Sequence, residues 1–555
     1  MSVPLLLDMA AAVHGDRIAL HLPEPLTFAG LNDLAGGGAT LIAASGARHV
    51  IYAGTNGPAF TAAVFAAARA GVPITPLNYR LSGAELRRLA EQLPRPYIVA
   101  DTELHAPLAG LSENILTGTE FVGTAAGTPA AAEVPVAPGA TAVVLFTSGT
   151  TSAPKGVVLT HANLSSYVLQ TVELGSAEPE DCALVGVPPY HVAGIAAVLT
   201  NTYAARRTVH LPRFTPADWL ETVRAHGVTN AMLVPTMLAR ITEHLAGSPA
   251  ATPTLRALSY GGARMPATVL ERALAVFPDT GLTHAYGLTE TSSTIAVLGP
   301  EDHRAAIASA DPAVRARLGS VGVPVPGVDI EIRLPDGSPA PVGVPGELFV
   351  RGPQVSGGYV GKGSALDADG WFATRDRVWL DDGGYLFVEG RSDDTIIRGG
   401  ENIAPAEIED VLLRHEQVRE AAVVGLPDEE WGERIAAVVV PVAGAEPDPE
   451  DLREWVRTHL RSSKTPALVA IRPELPYTPL GKLLRREVAA DLLAARGPDP
   501  ASAPGANGPN TPTAEPRPSS AADAPNVAAA EFPAAPPADL LDPAADSASP
   551  QRSSR

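Results

Sequence analysis

Short apolar runs alternate with amphipathic stretches along most of this chain, and that alternation restricts it to sheets of largely parallel strands with helices crossing between them. The segment Thr215 to Gly227 shows the unit. Thr215 can cap a helix, Pro216 suits the first helical position, Asp218 favours the first turn, Gly227 ends the segment, and the run Ala231 to Val234 follows as a buried strand. Ala70 to Ala90 repeats the plan: a buried strand, a Pro and Asn turn, then a helix after Ser82. From Val321 to Val388 the texture changes to short alternating strands with Gly and Pro turns, which predicts a β-rich subdomain. Glu401 to Leu493 returns to mixed elements. Helices are expected at Ala406 to His415 and, capped by Asp448, at Pro449 to Leu460, with strands at Ala421 to Gly425 and Ile435 to Val442. The boundary between a large and a small domain falls near GRSDD, Gly390 to Asp394.

With 555 residues, 45% of them hydrophobic, the chain can bury more than one core. Its net charge of −20 argues against nucleic acid as a partner, because phosphate backbones are held by excess cations. The lone cysteine, Cys182, excludes an internal disulfide, argues against a cysteine zinc site and reads as a partly buried structural residue. The opening MSVPLLLDMAAAV has no basic flank and is broken by Asp8, and no later run approaches the roughly 18 apolar residues of a membrane span, so a cytoplasmic location without stable membrane insertion is expected. Residues 496–555 turn to Pro, Ala, Ser, Gly and Asp without periodicity, which predicts a disordered tail.

Chemistry is concentrated in LFTSGTTSAPKGVVLTH, Leu145 to His161, where an apolar strand meets glycine, hydroxyls and one lysine. Gly149 lets backbone approach a phosphate, Thr147, Ser148, Thr150, Thr151 and Ser152 can donate hydrogen bonds, and Lys155 brings positive charge. The loop is not GxxxxGK[ST], since Lys155 lies between Pro154 and Gly156.

TSGTTSAPKG resembles the phosphate-loop signature of the adenylate-forming superfamily, which contains acyl-CoA synthetases, luciferases and amino-acid adenylation domains. Further motifs follow in that superfamily's order: PPYHVAG (Pro188 to Gly194), YGGA (Tyr260 to Ala263), YGLTE (Tyr286 to Glu290), GELFVRGPQVSGGY (Gly346 to Tyr359), GWFATRD (Gly370 to Asp376), GRSDDTIIRGGENI (Gly390 to Ile403) and LPYTPLGKLLRR (Leu475 to Arg486). The resemblance spans roughly residues 15–492. It implies an α/β fold in which a large N-terminal domain, residues 1–390, combines two α/β subdomains with a β-rich subdomain, followed by a small mobile α+β C-terminal domain, residues 391–495.

Carried over residue by residue, the resemblance implies that the phosphate loop, Gly261 to Ala263 and Ala285 to Gly287 bind ATP or AMP, with Tyr286 stacking on adenine. Thr289 would bond phosphate, and Glu290 would hold the Mg2+ that accompanies ATP. Asp376 would accept from the ribose hydroxyls, with Arg391 assisting. Lys482 would contact both carboxylate and α-phosphate in the adenylation step, so that Lys482, Glu290, His191 and Thr150 form the catalytic set. Asp393 matches the hinge about which the small domain turns between half-reactions, and Gly399 with Gly400 would line the passage for coenzyme A. His191 matches the gate of an acyl pocket walled by Val234, Thr236, Tyr260 and Gly262. The implied activity is ATP-dependent conversion of a fatty or aromatic carboxylic acid to acyl-AMP and then to its thioester with coenzyme A or, alternatively, an acyl carrier protein.

Two positions depart from the pattern: Arg375 stands where glycine often precedes the ribose aspartate, and Arg264 where a small residue or proline commonly follows YGGA. A cation near the acyl pocket, at Arg264, would favour a substrate with a second polar or acidic group. Val192, Ala193 and Gly194 lack the aspartate that pairs an amino-acid ammonium, which disfavours amino acids. A luciferase-like oxygenase shares the same motifs, and a nucleotide-binding homologue without turnover is the alternative from another class. A nucleic-acid ligase is opposed by the acidic charge and the absence of KxDG.

Overall fold

The computed structural model describes the chain except residues 22–23, 114, 132–134, 148–153, 399–400, 429–430, 479–482 and 496–555, and at Asp393 and Asn402 it describes the backbone alone. The expected tail lies outside these residues.

Two sheets with parallel centres form the large part of the molecule. The first runs, in spatial order among the described residues, Val323–Pro324, Ser293–Leu298, Gly281–Leu288, Ala257–Gly261, Asn230–Leu233, Cys182–Val185, Arg207–His210, Ile18–His21 and Pro25–Thr27. Its middle strands, from Gly281–Leu288 to Ile18–His21, are parallel, and antiparallel neighbours close both edges. The second sheet places Gly358–Tyr359, Lys155–Thr160, Thr141–Thr147, Ile74–Pro76, His49–Ala53, Pro96–Ala100 and Ile115–Leu116 side by side.

Local chemistry accounts for the elements that join these strands. The Pro216–Ala225 helix begins where the Thr215 side chain accepts from Asp218 N at 3.1 Å, and Gly227 then takes φ +59°. Ser82 and Glu85 form a reciprocal capping box at the Gly83–Ala90 helix. Trp219 and Tyr260, both essentially inaccessible, anchor the core on one face of the first sheet. Cys182 is wholly buried, deeper than the partial burial expected of it.

The β-rich texture resolves into an antiparallel sheet, Asp329–Arg333, Gly346–Arg351, Phe372–Leu380 and Leu386–Arg391. After a short turn at Ser392–Asp394, a smaller α+β unit opens at Ile396–Arg398. The Val418–Asp428 strand is longer than Ala421 to Gly425, because pairing along the Gly432–Pro441 strand carries Glu420, Pro427 and Asp428, poor strand formers, into the ladder. The Pro405–Leu412 helix stops before His415, whose N–H instead closes a turn on Leu412 O. Asp448 caps Pro449–His459 as expected. No helix among the described residues is long and apolar enough to cross a membrane.

Candidate functional site

Parallel strands leave a crevice beyond their carboxyl ends, and the YGGA and YGLTE motifs stand at the ends of two neighbouring strands. Gly261 ends its strand opposite Ala285, and a Cβ on Gly261 would lie 2.1 Å from Ala285 O, so only glycine allows this approach. Gly262 then turns at φ +82°, exposed, with Val234 Cγ1 3.8 Å from where its Cβ would be. Ala263 follows, half-buried. Ala285, Tyr286 and Gly287 lie on the adjacent strand, beside Gly261.

Tyr286 is tied to the ribose candidate. Its hydroxyl donates to Asp376 Oδ2 at 2.5 Å, and Arg391 Nη1 lies 3.3 Å from Asp376 Oδ1 across paired strands. Asp376 is only 5% exposed, so this carboxylate is buried with a cation and a phenol as partners. Burial, then the charge of Asp376, raises the Tyr286 hydroxyl well above its ordinary pKa and keeps it a donor.

Thr289 and Glu290 occupy a one-turn helix, Thr289–Thr291, at the end of the same strand. Glu290 Oε1 accepts from Tyr359 Oη at 2.9 Å, and Glu290 O accepts from Ser356 N at 2.7 Å. Gln354, wholly buried, braces that turn by donating from Nε2 to Thr291 O at 2.9 Å and to Thr294 O at 2.8 Å. Tyr359 also pairs with Val157 in the strand that begins at Lys155. One segment, 354–359, thus binds the Glu290 turn to the phosphate-loop hairpin. The Thr141–Thr147 and Lys155–Thr160 strands are antiparallel, with Thr147 Oγ1 donating to Lys155 O at 3.4 Å, so the loop joins two strands and a helix begins only at His161. Ser148, Gly149, Thr150, Thr151 and Ser152 lie outside the described residues.

Glu290 is a single carboxylate held by one hydrogen bond, a donor that fits a metal arriving with a nucleotide better than one held by the protein alone. No cluster of three or more His, Cys, Asp or Glu side chains able to hold an ion occurs among the described residues, whereas Mg2+ needs only one or two carboxylates when phosphates and water complete its shell.

His191 precedes the Val192–Tyr203 helix, its ring 4.4 Å from that of Tyr190, which in turn meets Tyr79 at 5.5 Å. Burial, and secondarily Arg80, pulls its pKa down to about 3, so the ring is neutral at pH 7. Its Nε2 is shielded from solvent with no hydrogen-bond partner among the described residues. Val234 is buried at the cap of the Pro235–Leu245 helix, and Thr236 is half-buried in that helix's first turn.

Two expectations change. Tyr260 does not offer its ring to an acyl pocket: it is 0% exposed, stacked on His284 at 4.6 Å, with its hydroxyl 2.8 Å from His303 Nε2, because its strand position points it into the core. Arg264 does not present a spare cation to a substrate, since it forms an ion pair with Asp410 on the Pro405–Leu412 helix.

Asp393 lies in the Ser392–Asp394 turn; Gly399, Gly400 and Lys482 lie outside the described residues. Just beyond Lys482, Arg485 donates to Glu409 Oε2 at 2.9 Å and to Val423 O at 2.7 Å and stands 3.8 Å from Asp394, anchoring the segment that follows the lysine. Sequence reasoning gave no role to Tyr359, Gln354, Arg485 or Glu409. The first three stand inside quoted motifs, and that is the signal that could have marked them.

Comparison with known proteins agrees with this geometry. The family model for AMP-binding enzyme matches residues 7–360, and that for the AMP-binding enzyme C-terminal domain matches residues 407–482. A feruloyl-CoA synthase of an Amycolatopsis species is 35% identical over 477 residues, covering 84% of this chain and 94% of that protein. A fatty acid–[acyl-carrier-protein] ligase of Streptomyces coeruleorubidus is 33% identical over 457 residues, covering 79% and 86%. The structure of O-succinylbenzoate coenzyme A synthetase from Bacillus subtilis, in complex with ATP and magnesium ion, superposes with a TM-score of 0.75 at 29% identity, covering 87% of this chain and 98% of that one. The chain therefore belongs to the adenylate-forming superfamily, within the AMP-binding enzymes that include the acyl-CoA synthetases, and is an AMP-forming carboxylic acid–thiol ligase.

Proposed function

We propose that this protein is a cytoplasmic ATP-dependent acyl-CoA synthetase that activates a fatty or aromatic carboxylic acid as acyl-AMP, releasing pyrophosphate, and then transfers the acyl group to coenzyme A. The observation that carries this reading is the Tyr286–Asp376–Arg391 contact beside the Gly261 approach, a buried acceptor for ribose next to a slot for adenine. In this reading the loop Thr147 to Ser152, with Lys155 and Thr289, binds phosphate oxygens, and Glu290 holds Mg2+, which neutralises charge on the phosphates when bound.

A carboxylate is repelled by triphosphate, so attack at the α-phosphorus needs cations on both partners and in-line placement. Lys482 supplies the cation that contacts both. Neutral His191 gates the acyl pocket, with Val234, Thr236 and Gly262 as walls, by shape and a single ring nitrogen rather than by charge. Rotation about Asp393 then removes Lys482 and brings Gly399 and Gly400 to the site, where paired glycines leave room for a narrow thiol arm. The relative that acts on an acyl-carrier-protein supports a second acceptor, the phosphopantetheine thiol of a carrier protein.

The test is AMP and pyrophosphate release over a panel of fatty and aromatic acids, with ATP and Mg2+, with and without coenzyme A, for the parent and Lys482→Ala. Acid-dependent AMP and thioester, both lost in the variant, are expected. Pyrophosphate without thioester would move the acceptor to a carrier protein, and ATP binding without turnover of any acid would leave a nucleotide-binding homologue.

A further inference from the structure

Arg375 stands immediately before Asp376 in the Phe372–Leu380 strand with φ +63°, a left-handed conformation that costs a side-chain-bearing residue on the order of 1 kcal/mol and glycine nothing. A non-glycine residue held there is a reason to look for function. Its side chain is exposed, and among the described residues its guanidinium has neither a hydrogen bond nor an ion pair. Other arginines of the same sheet are all engaged: Arg333 with Glu331, Arg351 with Asp329, Arg377 with Glu389 and Arg391 with Asp376.

The neighbours indicate what the spare cation faces. On one side is Asp376, bonded to Tyr286 and Arg391 at the nucleoside end of the site. On the other, the charge of Arg375 reaches Tyr359, whose hydroxyl holds Glu290 at 2.9 Å. A nucleotide whose ribose meets Asp376 and whose metal meets Glu290 must carry its phosphates across the interval between them. Both acids repel that polyanion, and a guanidinium fits it bidentately.

We propose that Arg375 is an ATP-binding residue that ion-pairs with the polyphosphate, and that this contact is why a strained arginine occupies a position suited to glycine. The inference rests on the nucleotide placement given above. Its test uses binding, so that it can fail separately from the ligase reading. Affinities of the full-length parent, Arg375→Gly and Arg375→Lys for adenosine, AMP and ATP with Mg2+ would be measured by titration calorimetry, alongside melting curves.

Arg375→Gly relieves the backbone and should melt no lower than the parent, yet bind ATP about tenfold or more weakly with adenosine unchanged, while Arg375→Lys, which keeps the charge and loses the bidentate fork, falls between the two. AMP weakened together with ATP would assign the contact to the α-phosphate, and ATP weakened alone to the phosphates beyond it. Unchanged ATP affinity in Arg375→Gly overturns the proposal. So does equal weakening of adenosine and ATP, which would mean that Arg375 acts only through the placement of Asp376. A parent that binds ATP but turns over no acid would sink the ligase reading and leave this comparison standing.

Discussion

Replacing Asp376 with asparagine keeps the shape of the side chain and removes its charge, which isolates what the ribose acid does. At 3.3 Å and an effective dielectric constant of about 20, its attraction to Arg391 is about 5 kcal/mol before desolvation, and desolvation offsets much of it. The nucleotide senses the difference between a charged and a neutral acceptor for two hydroxyls, about 1–1.5 kcal/mol for each. Asp376→Asn should therefore weaken adenosine, AMP and ATP alike by about 2–3 kcal/mol, or roughly 30- to 150-fold. Calorimetric titration with these three and with 2′,3′-dideoxyadenosine reads this directly. The parent should discriminate strongly against the dideoxy compound and Asp376→Asn much less. Undiminished adenosine affinity in the variant, or equal loss of both nucleosides, would refute the assignment of Asp376 to ribose.

Lowering the pH should destabilise the fold before carboxylates titrate. His191 is held down to about 3, and His49, His161 and His284 to about 4, all chiefly by burial. Below pH 6.5 the unfolded chain takes up protons that these native histidines refuse, so stability is lost by about 2 kcal/mol each by pH 5; melting temperature measured from pH 7 to 5 should fall steadily, and a flat profile would contradict the burial. Tyr359→Phe frees Glu290 Oε1 from its 2.9 Å partner and should raise the Mg2+ concentration needed for half-maximal activity several-fold while leaving the KM for the acid unchanged; an unchanged Mg2+ requirement would remove Glu290 from the metal. Arg264 and Asp410 pair across the large and small parts, so Arg264→Cys with Asp410→Cys, joined by a short bis-maleimide, should retain one half-reaction and lose the complete cycle. Cys182 is buried and will not compete, and a cross-linked enzyme with full turnover would show that no rotation is needed.

Features carried by adjacent residues were readable in advance: the Thr215 cap, the Ser82 start, the β-rich texture after Val321 and the Asp448 cap each depend on side chains a few positions apart. Resemblance pointed to Tyr286, Glu290, Asp376 and Arg391 motif by motif, yet not to the bond that joins Tyr286 to Asp376, whose partners are 90 positions apart. Arg264 shows the cost of reading a charge locally. Its partner lies 146 residues away, and nothing beside Arg264 in the chain announces Asp410. Tyr260 was misassigned for a related reason, because strand alternation near a site puts one neighbour in the crevice and the next in the core, and register decides which.

If a carboxylate oxygen of the substrate attacks the α-phosphorus of ATP, that oxygen leaves with AMP when the thiol takes the acyl group. Turnover of a carboxylic acid labelled with 18O in both oxygens, with the products weighed, reads this transfer. One 18O atom is expected in AMP, one retained in the thioester and none in pyrophosphate. Label in inorganic phosphate with ADP as the nucleotide product, or AMP free of label, would contradict that attack.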